Sequence, residues 1–114
     1  MEDCIFCKIV KGQIPSSKIY EDDKVLAFDD IHPVAPAHVV IIPKKHISTL
    51  MDVPEGELDI FNSLFSAVRE VAKKKGIDRK GFRTVINTNE EGGQVIFHLH
   101  IHVFGGRRLK LDLE

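Results

Sequence analysis

Apolar residues along this chain recur every second position in some stretches and every third or fourth in one other, and these periods divide it into strands and a helix. Residues 18–20 and 24–28 (KVLAF) read as short strands around the polar turn Glu21-Asp22-Asp23, which predicts a hairpin. Residues 29–36 (DDIHPVAP) read as a loop, because two prolines and paired acids do not suit a sheet interior. Residues 38–43 (HVVIIP) are rich in β-branched side chains and predict a buried strand. A helix is expected next. Asp52 and Glu55 have capping-box spacing with Pro54 in the first turn, and Leu58, Phe61, Leu64, Phe65, Val68, Val71 and Ala72 form an apolar stripe. Periodicity assigns Phe61, Phe65 and Phe82 to the core. Lys73, Lys74 and Lys75 complement the helix C-terminus, and Gly76 suits the position just after it. Residues 82–87 (FRTVIN) predict a fourth strand, 88–93 a turn, and the stretch ending at Gly105-Gly106 a fifth. The order β-β-β-α-β-β predicts an α+β fold: a mainly antiparallel five-stranded sheet with one long helix, as a single domain over residues 1–114. One helix leaves a sheet surface poorly covered, which favours a dimer.

Composition narrows the function classes. Sixteen basic residues against seventeen acidic ones give a net charge of −1, so nothing in the charge argues for nucleic acid or an anionic membrane surface. No apolar run approaches the roughly 20 residues of a membrane span. The N-terminal residues (MEDCIFCKIV) lack the basic and small-residue pattern of a signal peptide, so a cytoplasmic location with reduced cysteines is expected.

The chemistry concentrates in His98-Leu99-His100-Ile101-His102-Val103-Phe104. In a strand the three imidazoles leave one face roughly 7 Å apart, while the aliphatic residues leave the other. Imidazole has the side-chain pKa nearest neutrality, so such a row points to acid–base work, a nucleophile, an anion cradle or a metal. Cys4-Ile5-Phe6-Cys7 is a second constellation: a redox pair, half of a metal site, or two ordinary buried thiols. Ile and Phe between the cysteines disfavour redox, and tetrahedral zinc needs two further ligands, for which His46 and His98 are candidates. A third is Asn87 with Gly92-Gly93-Gln94, where glycines let backbone amides approach an anion and Asn and Gln add neutral polar contacts. His32 reads as a loop residue, and His38 opens a strand close to the histidine row.

These residues together resemble the histidine triad (HIT) nucleotide-binding proteins. HLHIHVF fits their His-φ-His-φ-His-φ-φ signature, and the likeness extends over CIFCKI, FDDIHPVAPAHVVIIPKKHI, the helix, VINTNEEGGQ and GGR. In this order the motifs look like the Hint branch, the purine nucleoside phosphoramidases. The resemblance implies a dimer that joins two sheets, and as substrate a purine nucleotide derivative, AMP linked to an amine through a P–N bond. It implies that His100 is the nucleophile, forming a nucleotidyl-histidine that water hydrolyses, with Nδ1–H held by a main-chain carbonyl, that of His98. His102 would contact the phosphate and help move charge or a proton. Asn87, Gly93 and amides near Gln94 would bind phosphate oxygens. Asp30 would take the ribose hydroxyls, and Ile5, Phe6, Ile9, Phe28, Ile31 and Val40 would line the base pocket. His38 would support the site from behind. Relatives that keep both cysteines bind zinc through them, so Cys4, Cys7, His46 and His98 are expected to hold a structural zinc, with no metal required at the chemical step.

Two departures stand out. Familiar animal members have a serine after Gly-Gly-Gln where this chain has Val95, and the tail RRLKLDLE lacks their longer Trp/Pro-containing ending. Three rival readings accompany the phosphoramidase: a dinucleoside polyphosphate hydrolase of the Fhit type, a nucleotide-binding adaptor with vestigial turnover, and a zinc sensor or carrier.

Overall fold

In the computed structural model, which describes residues 3–111, five antiparallel strands form one sheet in the order β1-β2-β3-β5-β4. The strands are β1 (Lys18–Glu21), β2 (Val25–Asp29), β3 (Ala37–Pro43), β4 (Phe82–Val85) and β5 (Ile101–Gly105). The hairpin is closed by Asp22, whose carboxylate accepts from the Lys24 and Val25 amides at 2.8 and 2.9 Å. β3 and β5 pair with Val40 opposite His102 and Ile41 opposite Ile101. The last strand is therefore inserted in the sheet between β3 and β4.

Both faces of the sheet are apolar near its middle, and they pack against different helices. Val25, Ala27, Val39, Ile41, Ile101 and Val103 point to one side, where Leu64, Ala67, Val68, Val71 and Ala72 of the long helix α2 (Ile60–Lys74) complete the main core. Leu26, Phe28, Val40 and Ile42 point to the other, where Phe6 and Ile9 of a six-residue helix α1 (Ile5–Val10) cover them. That second face also carries His100 and His102, so it is the side on which chemistry is placed.

The expected elements are present, with four differences. The long helix starts later than the capping box suggests. Val53 and Pro54 are extended (ψ 119° and 147°), so Pro54 separates two short 3₁₀ turns, Leu50–Asp52 and Glu55–Glu57, and the α-helix begins only at Ile60. Thr49, not Asp52, caps the first turn, accepting from the Met51 amide. Phe65 and Phe82 are not core residues: Phe65 is 47% exposed because the buried stripe of α2 is centred on Leu64, Val68 and Val71, and Phe82 is 37% exposed on the edge strand β4. β4 stops at Val85 and β5 starts at Ile101. The alternation nevertheless continues back through the irregular residues before β5, where Leu99 enters the main core and its amide donates to the Ile47 carbonyl at 2.7 Å. Finally, α1 was not foreshadowed by any helical period. No helix among the described residues is long and apolar enough to cross a membrane.

Candidate active site

A pocket of about 490 Å³ opens on the α1 face. Of the residues the sequence singled out, Ile5, Phe6, Ile9, Phe28, Asp30, Ile31, Val40, Asn87, Gly93, His100 and His102 line it. Ile31 does so from the rim, being 82% exposed. Ile14, Pro15, Ser16 and Ile96 line it too, and sequence reasoning missed them: they lie in turns or irregular chain without a period. His32, read as a loop residue, also reaches the rim. Gly93 has φ +80°, a conformation that side-chain-bearing residues rarely adopt, which accounts for glycine at this point of the wall.

Gln94 is brought near the site without lining it. Its side-chain oxygen accepts from the Asn89 amide at 2.9 Å, and its side-chain nitrogen donates to the Ser48 and Ile96 carbonyls at 2.8 and 3.1 Å. Its backbone amide bonds to Asn89 as well. Gln94 therefore braces the turn that presents Gly93. Val95 is 85% exposed at the pocket wall.

Hydrogen bonds fix the tautomers of His38, His100 and His102. The His98 carbonyl accepts from His100 Nδ1 at 2.7 Å, so the His100 proton is on Nδ1 and Nε2 keeps its lone pair. The Val34 amide donates to His38 Nδ1 at 3.3 Å, which puts the His38 proton on Nε2, where it faces His102 Nδ1 at 3.0 Å. Neutral His102 consequently carries its proton on Nε2. Two rings with centroids 5.0 Å apart thus have opposite polarity, a bare Nε2 on His100 and an Nε2–H on His102. Burial holds His100 and His38 below the ordinary imidazole range, and pushes His102 down to about 4 with the help of the neighbouring imidazoles. All three are neutral near pH 7. Asp30 accepts from the His32 amide through one oxygen and has the other 3.4 Å from His38 Nε2.

Beside the pocket, Cys4, Cys7, His46 and His98 bring one donor atom each to within 4.8 Å of one another. Cys4 Sγ is 3.3 Å and Cys7 Sγ 3.6 Å from His98 Nδ1, and Cys7 Sγ is 3.3 Å from His46 Nδ1. Tetrahedral zinc, with bonds of roughly 2.3 Å to sulfur and 2.1 Å to nitrogen, spaces its ligands roughly 3.4 to 3.8 Å apart. The tautomer also fits: His98 Nε2 donates to the Pro43 carbonyl at 2.8 Å, leaving Nδ1 free to bind. Asp30, His38 and His102 also cluster, but the Val34 amide on His38 Nδ1 opposes the Nδ1–H that a metal on Nε2 requires. The first cluster suits a metal, and the second suits a proton.

A five-stranded antiparallel sheet with one long helix on one face and a histidine row over a pocket on the other defines an α+β class of histidine-row proteins. The chain belongs to the HIT domain family, whose model matches residues 11–109. It is 42% identical to the purine nucleoside phosphoramidase of Escherichia coli over 108 residues, 95% of this chain and 91% of that one. It is 45% identical to the 14 kDa zinc-binding protein of Brassica juncea over 109 residues, 94% and 96% of the two chains. A solved histidine triad protein from Clostridium difficile superposes with a TM-score of 0.95 at 48% identity, covering 98% of this chain and 97% of that one.

Proposed function

We propose that this protein is a hydrolase of purine nucleotide derivatives that cleaves the P–N bond of AMP joined to an amine, through a covalent adenylyl-histidine on His100. The observation that carries the reading is the 2.7 Å bond from His100 Nδ1 to the His98 carbonyl. It leaves a neutral imidazole with a free Nε2 lone pair in a pocket wall, which is what a histidine nucleophile needs near pH 7.

The base sits in the apolar slot of Phe6, Ile9, Phe28 and Val40, with Ile5 and Ile31 at its edges, and Asp30 takes the ribose hydroxyls. Asn87 and the amides of the turn at Gly93 meet the phosphate oxygens. His100 Nε2 attacks phosphorus and forms a P–N bond as the bond to the substrate amine breaks. His102, held neutral with its proton on Nε2, donates that N–H to a phosphate oxygen as charge gathers there. The amine leaves as a neutral molecule because its nitrogen takes a proton from solvent before the P–N bond breaks. Water then attacks the adenylyl-histidine, its proton passes to solvent, and AMP leaves with His100 restored. His38 holds His102 in the tautomer this requires.

In the same reading Cys4, Cys7, His46 and His98 hold a structural zinc, which when bound supplies a cross-link and takes no part at phosphorus. The cysteines serve as ligands in a reducing, cytoplasmic setting. A second copy of the chain meets the sheet edge at β4, where Phe82 is exposed, and the face of α2 with Phe65. The partially exposed Phe61 ring stacks on Phe65 at 6.2 Å and extends that apolar surface.

Intact-protein mass spectrometry after rapid mixing with adenosine phosphoramidate tests the proposal. An added AMP mass is expected on the wild type and not on His100→Ala. Nucleotide binding without adduct or AMP release would favour an adaptor, and a large preference for diadenosine tri- or tetraphosphate in parallel assays would favour a phosphoanhydride hydrolase.

A further inference from the structure

Three connections run between the cysteine–histidine cluster and the pocket. His98 belongs to both: its Nδ1 faces Cys4 and Cys7, while its carbonyl holds the proton of His100. Phe6, between the two cysteines in sequence, sets its ring edge-on against His98, His100 and Phe28, with centroids 5.8, 5.2 and 5.7 Å away. Helix α1, finally, contributes Ile5, Phe6 and Ile9 to the pocket while its first turn is tied at Cys4 and Cys7.

A six-residue helix has no stability of its own, so its anchors determine where it lies. One anchor is apolar, Phe6 and Ile9 against Leu26, Phe28, Val40 and Ile42. The other is the cluster. Without an ion, that second anchor is only a set of thiol–imidazole contacts of 3.3 to 3.6 Å. A zinc ion there replaces them with bonds, and it clamps the His98 ring between the metal and the Pro43 carbonyl.

We propose that the Cys4–Cys7–His46–His98 cluster is a positioning device for the nucleotide site. Zinc in the cluster and nucleotide in the pocket favour the same placement of α1 and of the His98 backbone, so each raises the affinity for the other. The inference rests on the zinc and nucleotide readings above and adds the coupling between them. Ordering α1 is a cost that both ligands share, and whichever binds first lowers it for the second.

Calorimetric titration of AMP into zinc-loaded and chelator-treated protein tests this without any turnover. AMP is expected to bind the zinc-free form about tenfold more weakly, within the roughly 5- to 150-fold range of ordinary site-to-site coupling. Saturating AMP must raise zinc affinity, measured against a competing chelator, by the same factor, because such coupling is reciprocal. Amide exchange over residues 5–10 is expected to slow with zinc. Equal AMP affinities in the two forms would overturn the coupling and leave the nucleotide site standing. Failure of AMP to bind either form would overturn the coupling and the functional reading together, and failure of the wild type to retain zinc would overturn the coupling and the zinc reading. Where chelation unfolds the chain, Phe6→Leu supplies the test: it keeps all four ligands, and at AMP concentrations shown to saturate the variant its zinc affinity must lose most of its dependence on AMP. Undiminished dependence in that variant would also overturn the proposal.

Discussion

His38 Nε2 donates to His102 Nδ1 across 3.0 Å, from a strand that adjoins β5 directly in the sheet. The bond runs in this direction because the Val34 amide has already taken His38 Nδ1. Removing it in His38→Ala frees His102 to adopt the other tautomer, with its bare nitrogen toward the phosphate. Turnover of adenosine phosphoramidate is expected to fall roughly 10- to 100-fold, the usual range for a group that orients a reacting one. KM is expected to change little, and steady-state kinetics separates the two effects.

Acid should destabilise the fold before it protonates the site. His102 titrates near 4 in the folded chain against an ordinary value of 6.5, and His100 and His38 shift in the same direction. Between those values the unfolded chain binds more protons than the folded one, so stability falls as pH drops from about 6.5 to about 4. Above that window these groups contribute no slope. Urea midpoints are expected to be lower at about pH 5 than at about pH 7.5, and His102→Asn should reduce the difference without removing it, since burial also holds His38, His98 and His100 down. An equal drop in that variant would assign the effect elsewhere.

Gly105 is constrained by space. A Cβ there would lie 2.8 Å from Ile77 Cδ1 and 3.3 Å from its Cβ and Cγ2, in the interior of the sheet–helix core. Gly105→Ala is expected to cost about 1–3 kcal/mol by overpacking. Adding Ile77→Val removes the Cδ1 methyl and should recover part of the loss in chemical denaturation.

Phe65 and Phe82 lie where a partner chain is proposed. Phe65→Glu is expected to leave the monomer fold intact and shift sedimentation velocity from dimer to monomer. No shift would move the interface off this face of α2.

The strands and the histidine row were legible because strand alternation is strict. Leu99, Ile101 and Val103 enter the core, which sends His98, His100 and His102 the other way even where the backbone is irregular. The start of α2 was not, because Pro54 suits a helix's first turn and a break equally well, and only the extended Val53–Pro54 backbone settles which occurs. Phe65 was misplaced because an apolar stripe broader than the core leaves its edges unassigned. Helix α1 is too short for a period, and its cap is Cys4, a residue outside the usual capping set. What places that helix is packing against Leu26, Phe28, Val40 and Ile42 and contact with residue 98, and no local pattern carries such information.

Cys4 and His98 are separated by 94 positions, and His98 leads into the strand that fills the gap between β3 and β4. During synthesis α1 can meet its apolar seat on β2 and β3 early, but its second anchor, at Cys4 and Cys7, waits for residue 98. The entropy of closing so long a loop is met only when the central strand docks. Until then the cysteines are exposed to oxidants and stray metals, which makes the nascent chain, rather than the finished protein, the form most vulnerable to misassembly.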